Sequence, residues 1–164
     1  MKRIKILYTL NNDHISGIEK FVLLVLKYIN KELYDITFAI PFRCNICKQF
    51  DILDVKYHVF NKEFKAYTPL GIFNIFRLMY KNKYDIIHAN AGIIPCILGK
   101  ILGSRLIIEH KHGLDFSFEK RNNIKGLTLI KEEVKKYFVD ITFTGCESDR
   151  QYLINVFRYQ SAKV

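Results

Sequence analysis

Apolar residues recur along this chain with two different periods, and the switches between them mark out its elements. Residues 3–9 (RIKILYT) are rich in apolar and β-branched types and predict a first strand. A polar loop, NNDHISG, closes on Gly17. Ile18, Phe21, Val22, Val25, Leu26 and Ile29 then recur at three- and four-residue steps, which predicts an amphipathic helix from Ile18 to Asn30. Residues 35–40 (DITFAI) predict a second strand, stopped by Pro41, and 56–60 (KYHVF) a third. Thr68-Pro69 starts a helix running to about Asn82, with Pro in its first turn. Residues 85–90 (DIIHAN) predict a fourth strand and 105–110 (RLIIEH) a fifth. Between them Gly92 to Leu102 reads as a short helix ending at Gly103. A long polar stretch leads to a helix over 123–138 and a sixth strand over 139–144 (VDITFT). Ser148 is placed to cap a last helix reaching about Phe157. Ala162-Lys163-Val164 resembles the first residues of another strand.

Strand and helix alternate throughout, which predicts an α/β fold: a doubly wound parallel sheet of about six strands with helices on both faces. DIIHAN and RLIIEH are nearly continuous apolar runs, as strands buried on both faces require. The expected strand order is 3-2-1-4-5-6. The expected core includes Ile6, Leu7, Phe21, Val25, Phe38, Ile86, Ile87, Leu98, Ile107, Ile108 and Phe143. No linker or low-complexity tract interrupts residues 1–164, which read as one domain.

Composition narrows the function. With 164 residues, 49% hydrophobic and 26% charged, the chain is of ordinary globular character, which excludes disordered and collagenous classes. Lys and Arg number 26 against 16 Asp and Glu, a net charge of +10 that favours an anionic partner. The basic residues are scattered and no nucleic-acid-binding motif appears, so the anion is not expected to be nucleic acid. No apolar run has the length of a membrane span, and the N-terminus lacks a signal peptide's cleavage site, so a cytoplasmic location is expected. Four cysteines without a secretion signal do not form a disulfide framework. Cys44 and Cys47 are spaced C-x-x-C. Zinc would need two further ligands, and a redox pair would need the motif at a helix start after a strand; otherwise the two are free thiols in a loop. Cys96 reads as a core residue.

Ligands of open α/β sheets bind at the carboxyl ends of the strands. The loop after the first strand holds Ser16 and Gly17 before Glu19, and a glycine at a helix start can present N–H groups to a phosphate or sugar hydroxyl. It matches neither dinucleotide nor P-loop glycine patterns. The fourth strand ends in His88-Ala89-Asn90, and the fifth in Glu109-His110-Lys111-His112-Gly113. Alternation puts His110 and His112 on one face. A third metal ligand is not evident beside them. Three histidines at strand ends on one rim point to a polar ligand cleft.

The series SGIEKFVLLVLKYI, YDIIHANAGIIPCILGKILGSRLIIEHKHG and FTGCESDRQYLI resembles the amino-terminal, acceptor-side Rossmann-like domain of family-4 glycosyltransferases of the GT-B fold. The resemblance runs over nearly the whole chain. The family's Gly-Gly-x-Glu is matched by Ser16-Gly17-Ile18-Glu19, with Ser16 in place of the first glycine. Its strand-five His-Gly, which lies near the transferred sugar, is matched by His112-Gly113, with His110 as a competing alignment. Cys146-Glu147-Ser148 resembles the family's strand-six end. The resemblance implies a catalytic role for His112 and substrate contacts for Ser16, Gly17, Glu19, His88, Asn90, His110 and Glu147. It implies a retaining hexosyl transfer, without metal or cofactor, from a nucleotide-sugar donor to a glycan or lipid-linked acceptor in polysaccharide or cell-surface glycan biosynthesis. It also implies a second, donor-binding domain with a Glu-x7-Glu segment, which these residues do not contain. This chain alone is then expected to be inactive. The alternative is a non-catalytic binding or scaffold half that requires a partner chain.

The helix from Pro69 is apolar over much of its circumference, which favours burial against the sheet. Arg77, Lys81 and Lys83 gather at its end and Lys62 and Lys65 precede it, so peripheral attachment to an anionic inner membrane face is a further expectation.

Overall fold

In a computed structural model the described residues are 2–10, 17–41, 43–60, 68–90, 92–111 and 127–164, less the side chains at 18 and 127–129. Among the described residues six strands alternate with six α-helices: β1 Ile4–Thr9, α1 Gly17–Tyr28, β2 Tyr34–Ile40, α2 Asn45–Ile52, β3 Lys56–Val59, α3 Pro69–Asn82, β4 Ile86–Ala89, α4 Ile94–Ile101, β5 Leu106–Lys111, α5 Leu127–Phe138, β6 Ile141–Thr144 and α6 Glu147–Asn155. The strands form one sheet in the order β3-β2-β1-β4-β5-β6, every pairing parallel, as the alternating pattern predicts. β4 lies inside the sheet, between β1 and β5.

Three aspartates hold the amino ends of the strands in register. Asp85, just before β4, accepts the Lys5 backbone N–H through Oδ2 at 2.9 Å. Its own N–H donates to the Lys5 carbonyl at 2.9 Å, and its carbonyl accepts from Arg105 N–H at 2.8 Å, so one residue ties β1, β4 and β5 together. Asp140, just before β6, accepts the Ile107 N–H at 2.9 Å through Oδ2 and the Lys100 ammonium at 2.9 Å through Oδ1. It thereby joins β5, β6 and α4. Asp35 takes the Lys56 ammonium at 2.9 Å, bridging β2 and β3. The three stand in like settings: Tyr34-Asp35-Ile36-Thr37-Phe38, Tyr84-Asp85-Ile86-Ile87-His88 and Val139-Asp140-Ile141-Thr142-Phe143.

Side chains alternate between the two faces, and residues paired across parallel strands share one. One face packs Tyr8, Leu10, Phe38 and Ile40 against Val22 and Leu26 of α1 and Ile46, Cys47 and Phe50 of α2. The other packs Leu7, Ala39 and Ile87 against Ile75 and Met79 of α3, with Leu98 of α4 alongside. Ala89 and Ile107 continue this face toward Cys96 and Val139. α4 approaches so closely that a Cβ on Gly99 would stand 2.7 Å from Ile87 Cγ1, so glycine is required at a position where helix propensity alone would exclude it. Leu7, Phe38, Ile87 and Ile107 are fully buried, as expected. Ile6, Val25, Ile86, Leu98 and Ile108 are half-buried. Ile6, Ile86 and Ile108 share the face packed by α1 and α2, whose buried cluster draws its sheet residues from β1 and β2. Phe21 and Phe143 are not core residues: they are 44% and 46% exposed.

Three further expectations are corrected. The C-x-x-C segment is not a loop; it opens α2, with Cys44 at the N-cap and Cys47 three residues on. The last helix begins at Glu147 with Cys146 at its N-cap, so Ser148 lies inside the first turn. Residues Ser161–Lys163 form a short 3-10 turn, not a strand. The helix expected from 123 is described only from Leu127. Thr68 caps α3 as predicted, its hydroxyl accepting Gly71 N–H at 3.1 Å.

A buried ion network docks α5 on the sheet. Lys135 reaches Glu109 of β5 at 2.6 Å and Glu132 at 3.2 Å, and Lys111 also bonds Glu132. The Tyr159 hydroxyl donates to Glu132 at 2.8 Å, tying in the segment after α6. Burial alone would raise the Glu132 carboxyl, but Lys111 and Lys135 hold it below the usual carboxylate range. Burial alone would lower Lys135, but Glu109 and Glu132 raise it well above an ordinary lysine. Every charge is met by an opposite one, which is what lets such a network be buried at all.

Asp85→Ala removes the carboxylate that bridges β1 and β4 and leaves a strand N–H without its acceptor. It is expected to lower stability by about 1–3 kcal/mol. Urea denaturation checks this, and an unchanged midpoint would show that Asp85 does not set the register.

Candidate functional site

The strand order reverses direction between β1 and β4, so the crevice at their carboxyl ends is where this topology places a ligand. Asn90 bridges it. Its amide donates to the Thr9 carbonyl at 3.0 Å, and its Oδ1 accepts the Tyr8 hydroxyl at 3.4 Å. Burial pushes the Tyr8 phenol up to about 12, with the Asn90 bond opposing, so it stays a neutral donor.

From Tyr8 a row of rings crosses the sheet. Register pairs Tyr8 with His88, His88 with Ile108 and His110 with Phe143, so all of these rings share one face. His88 lies 4.2 Å from Tyr8 between ring centroids and 5.7 Å from His110. His110 meets Phe143 edge-on at 6.1 Å. Phe21, reaching over from α1, meets His110 edge-on at 5.4 Å. Both imidazoles are half-buried, while the two phenylalanines are exposed. The result is an aromatic shelf with two polar rings in it. Such a surface can stack on the apolar face of a sugar, while His88 Nε2 and His110 Nδ1 are buried beneath it.

The structure thus brings together His88, Asn90 and His110. Gly17 opens α1, exposed, and among the described residues a Cβ there would meet nothing within 4 Å. Glu19, in the first turn of α1, is 1% exposed. Glu147 stands at the start of α6 after β6. Hydrogen bonds from Gln151 at 2.7 Å and Arg150 at 3.0 Å, both to Oε1, hold its carboxyl below the usual range. Ser16 and His112 lie outside the described residues, so their side chains are not placed against this row. Among the described residues no group of three His, Cys, Asp or Glu could hold a metal.

Tyr8, Phe21 and Phe143 join the site without having been singled out from the sequence. Phe143 carried a usable signal: it stands three residues after Asp140, as His88 does after Asp85, so the two share a face, with Phe143 two residues further along at the level of His110. Phe21 carried none, because its spacing along α1 is that of an inward-facing residue. α1 turns it instead toward His110, beside the helix's buried stripe of Val22 and Leu26.

Three solved structures show how far this architecture is shared. A glycosyltransferase from Rickettsia africae superposes with a TM-score of 0.70 at 16% identity, over 99% of this chain and 42% of that one. Anabaena Alr3699/HepE, solved with UDP and glucose, gives 0.70 at 14% identity, over 98% of this chain and 43% of that one. The UDP-GlcNAc 2-epimerase of Neisseria meningitidis, bound to UDP-GlcNAc, gives 0.66 at 12% identity, over 98% and 45%. At such identities the likeness is one of fold, and this chain spans less than half the length of each. No curated protein sequence matches it. The family model described as "Glycosyl transferase 4-like" matches residues 5–143, from β1 to the aromatic end of β6, and the chain belongs to that family.

Proposed function

We propose that this chain is the acceptor-side half of a retaining glycosyltransferase that moves a sugar from a nucleotide-diphosphate sugar to a hydroxyl of a saccharide or lipid-linked acceptor in polysaccharide or cell-surface glycan assembly. The observation that carries the reading is the row Tyr8–His88–His110–Phe143 at the carboxyl ends of the strands, in a chain of this family. Positioning is the main work of such a site. The exposed rings Phe21 and Phe143 stack on the acceptor sugar. His88, Asn90 and His110 bond its hydroxyls. His112, two residues on from His110, contacts the transferred sugar. Ser16, Gly17 and Glu19 serve the donor, whose phosphates meet the backbone N–H groups at the start of α1. Glu147, at the far end of the rim, contacts the acceptor. Donor binding falls mainly to a second, donor-binding domain, as the greater length of its structural relatives suggests. The chain alone is then inactive.

The acceptor's chemistry bears on α3. It buries Gly71, Ile75 and Met79 against the sheet, and leaves Leu70, Phe73 and Tyr80 exposed beside Arg77. Lys81 and Lys83 are exposed at its end, while Lys62 and Lys65 lie outside the described residues. Among the described residues no helix is long and apolar enough to cross a membrane. An apolar ridge bordered by cations suits reversible attachment to an anionic inner leaflet, where a lipid-linked acceptor would be presented.

In the complete enzyme, His112→Ala is expected to cut turnover by about a hundredfold, the scale of a misplaced reacting sugar, with an unchanged melting temperature. Undiminished turnover would remove His112 from the mechanism. Vesicle sedimentation tests the membrane reading. Binding is expected to need anionic lipid, to weaken as salt rises, and to be abolished by Arg77→Glu with Lys81→Glu, each cation contributing about 1 kcal/mol. Equal binding to neutral and anionic vesicles would contradict it.

A further inference from the structure

The transfer reaction leaves one cluster of nucleophiles unused. Cys44 and Cys47 flank the start of α2, which follows β2 directly, the placement a C-x-x-C redox pair needs. Cys44 takes an extended N-cap conformation, φ −139° and ψ 179°, and the two residues cap one another. The Cys44 backbone N–H donates to Cys47 Sγ at 3.4 Å, and the Cys47 N–H donates to the Cys44 carbonyl at 3.0 Å. Three residues apart at a helix start, their Cα atoms are separated by about 5 Å. That is inside the window of about 4.4–6.8 Å that a disulfide spans without backbone movement. Exposure divides the roles: Cys44 is half-buried, while Cys47 is buried in the cluster that also holds Tyr8 and Phe38.

We propose that Cys44 and Cys47 are a dithiol site that a small disulfide of the glutathione class converts reversibly into an intramolecular disulfide. The Cys44 thiolate, reachable from solvent, attacks one sulfur of the small disulfide. A Cys44 mixed disulfide forms and one small thiolate leaves. The Cys47 thiolate then attacks the Cys44 sulfur, closing the Cys44–Cys47 bond and expelling the second small thiolate. Both protein protons go to solvent, and the two electrons reduce the small disulfide to two thiols. Burial pushes the Cys44 thiol up, against the opposing Ile46 N–H, which slows the first attack and makes the finished disulfide hard to reduce. Cys47 packs in the cluster that also contains Tyr8, whose ring lies 4.2 Å from His88 between centroids.

The test is incubation of the full chain with oxidised glutathione, then alkylation, intact mass and peptide mapping. Expected is a loss of two hydrogens confined to the Cys44–Cys47 peptide, reversed by dithiothreitol, with Cys96 still alkylatable after unfolding. Cys47→Ser should accumulate a stable glutathione adduct on Cys44. Cys44→Ser, which keeps a capping side chain, should leave Cys47 unreacted, and circular dichroism should show both variants folded. A glutathione adduct that persists on Cys44 in the unsubstituted chain would overturn the proposal. So would oxidation confined to the exposed Cys146 with Cys44 and Cys47 still alkylatable. A Cys47→Ser chain that fails to fold leaves the unsubstituted chain's own mapping to decide between these outcomes.

Discussion

Everything at the rim depends on strand register, and register here is held by carboxylates at the opposite end of the sheet. A slip of one residue would move every side chain of a strand to the other face. An apolar strand such as β4, with Ile86 and Ile87 on opposite faces, has little in its side chains to prevent one. Asp85 supplies what they lack. Its carboxylate and backbone bind β1, β4 and β5 at a single level, and Asp140 extends the clamp to β6 and α4. Three residues later, at that fixed offset, stand His88 and Phe143. The chemistry at one end of the sheet is thus aligned by polar groups at the other.

The same alternation divides labour between the faces. On β5, His110 points to the aromatic row, while Glu109 and Lys111, one step to either side, point into the ion network beneath α5. One strand end therefore carries both the candidate ligand surface and the anchor for the helix behind it. The network's charges are satisfied among themselves, which identifies it as structural support and leaves the exposed rings as the surface with capacity to bind.

Much of this was legible in the sequence. Element order follows from the switching of apolar periods, and strand order from the rule that parallel crossovers are right-handed and adjacent. His88, Asn90 and His110 were readable as rim residues because they end long apolar strands. What escaped was set by neighbours rather than by local pattern. The eight residues of α2 bury only Ile46, Cys47 and Phe50, too short a stripe to announce a helix. Phe21 and Phe143 have the composition of a core, and only their place beside the end of β5 makes them a surface. The Asp–Ile pattern at the amino ends of β2, β4 and β6 was present in the sequence, but its meaning lies in bonds to other strands.

The account's central claim is that sugar meets protein along the Tyr8–His88–His110–Phe143 row. The most direct measurement is a crystal structure with an acceptor saccharide bound. The acceptor's sugar ring is expected at the carboxyl ends of β4 and β5, within contact distance of the histidines on that face. A sugar seated at the amino ends of the strands, or against the face packed by α3 and α4, would contradict it.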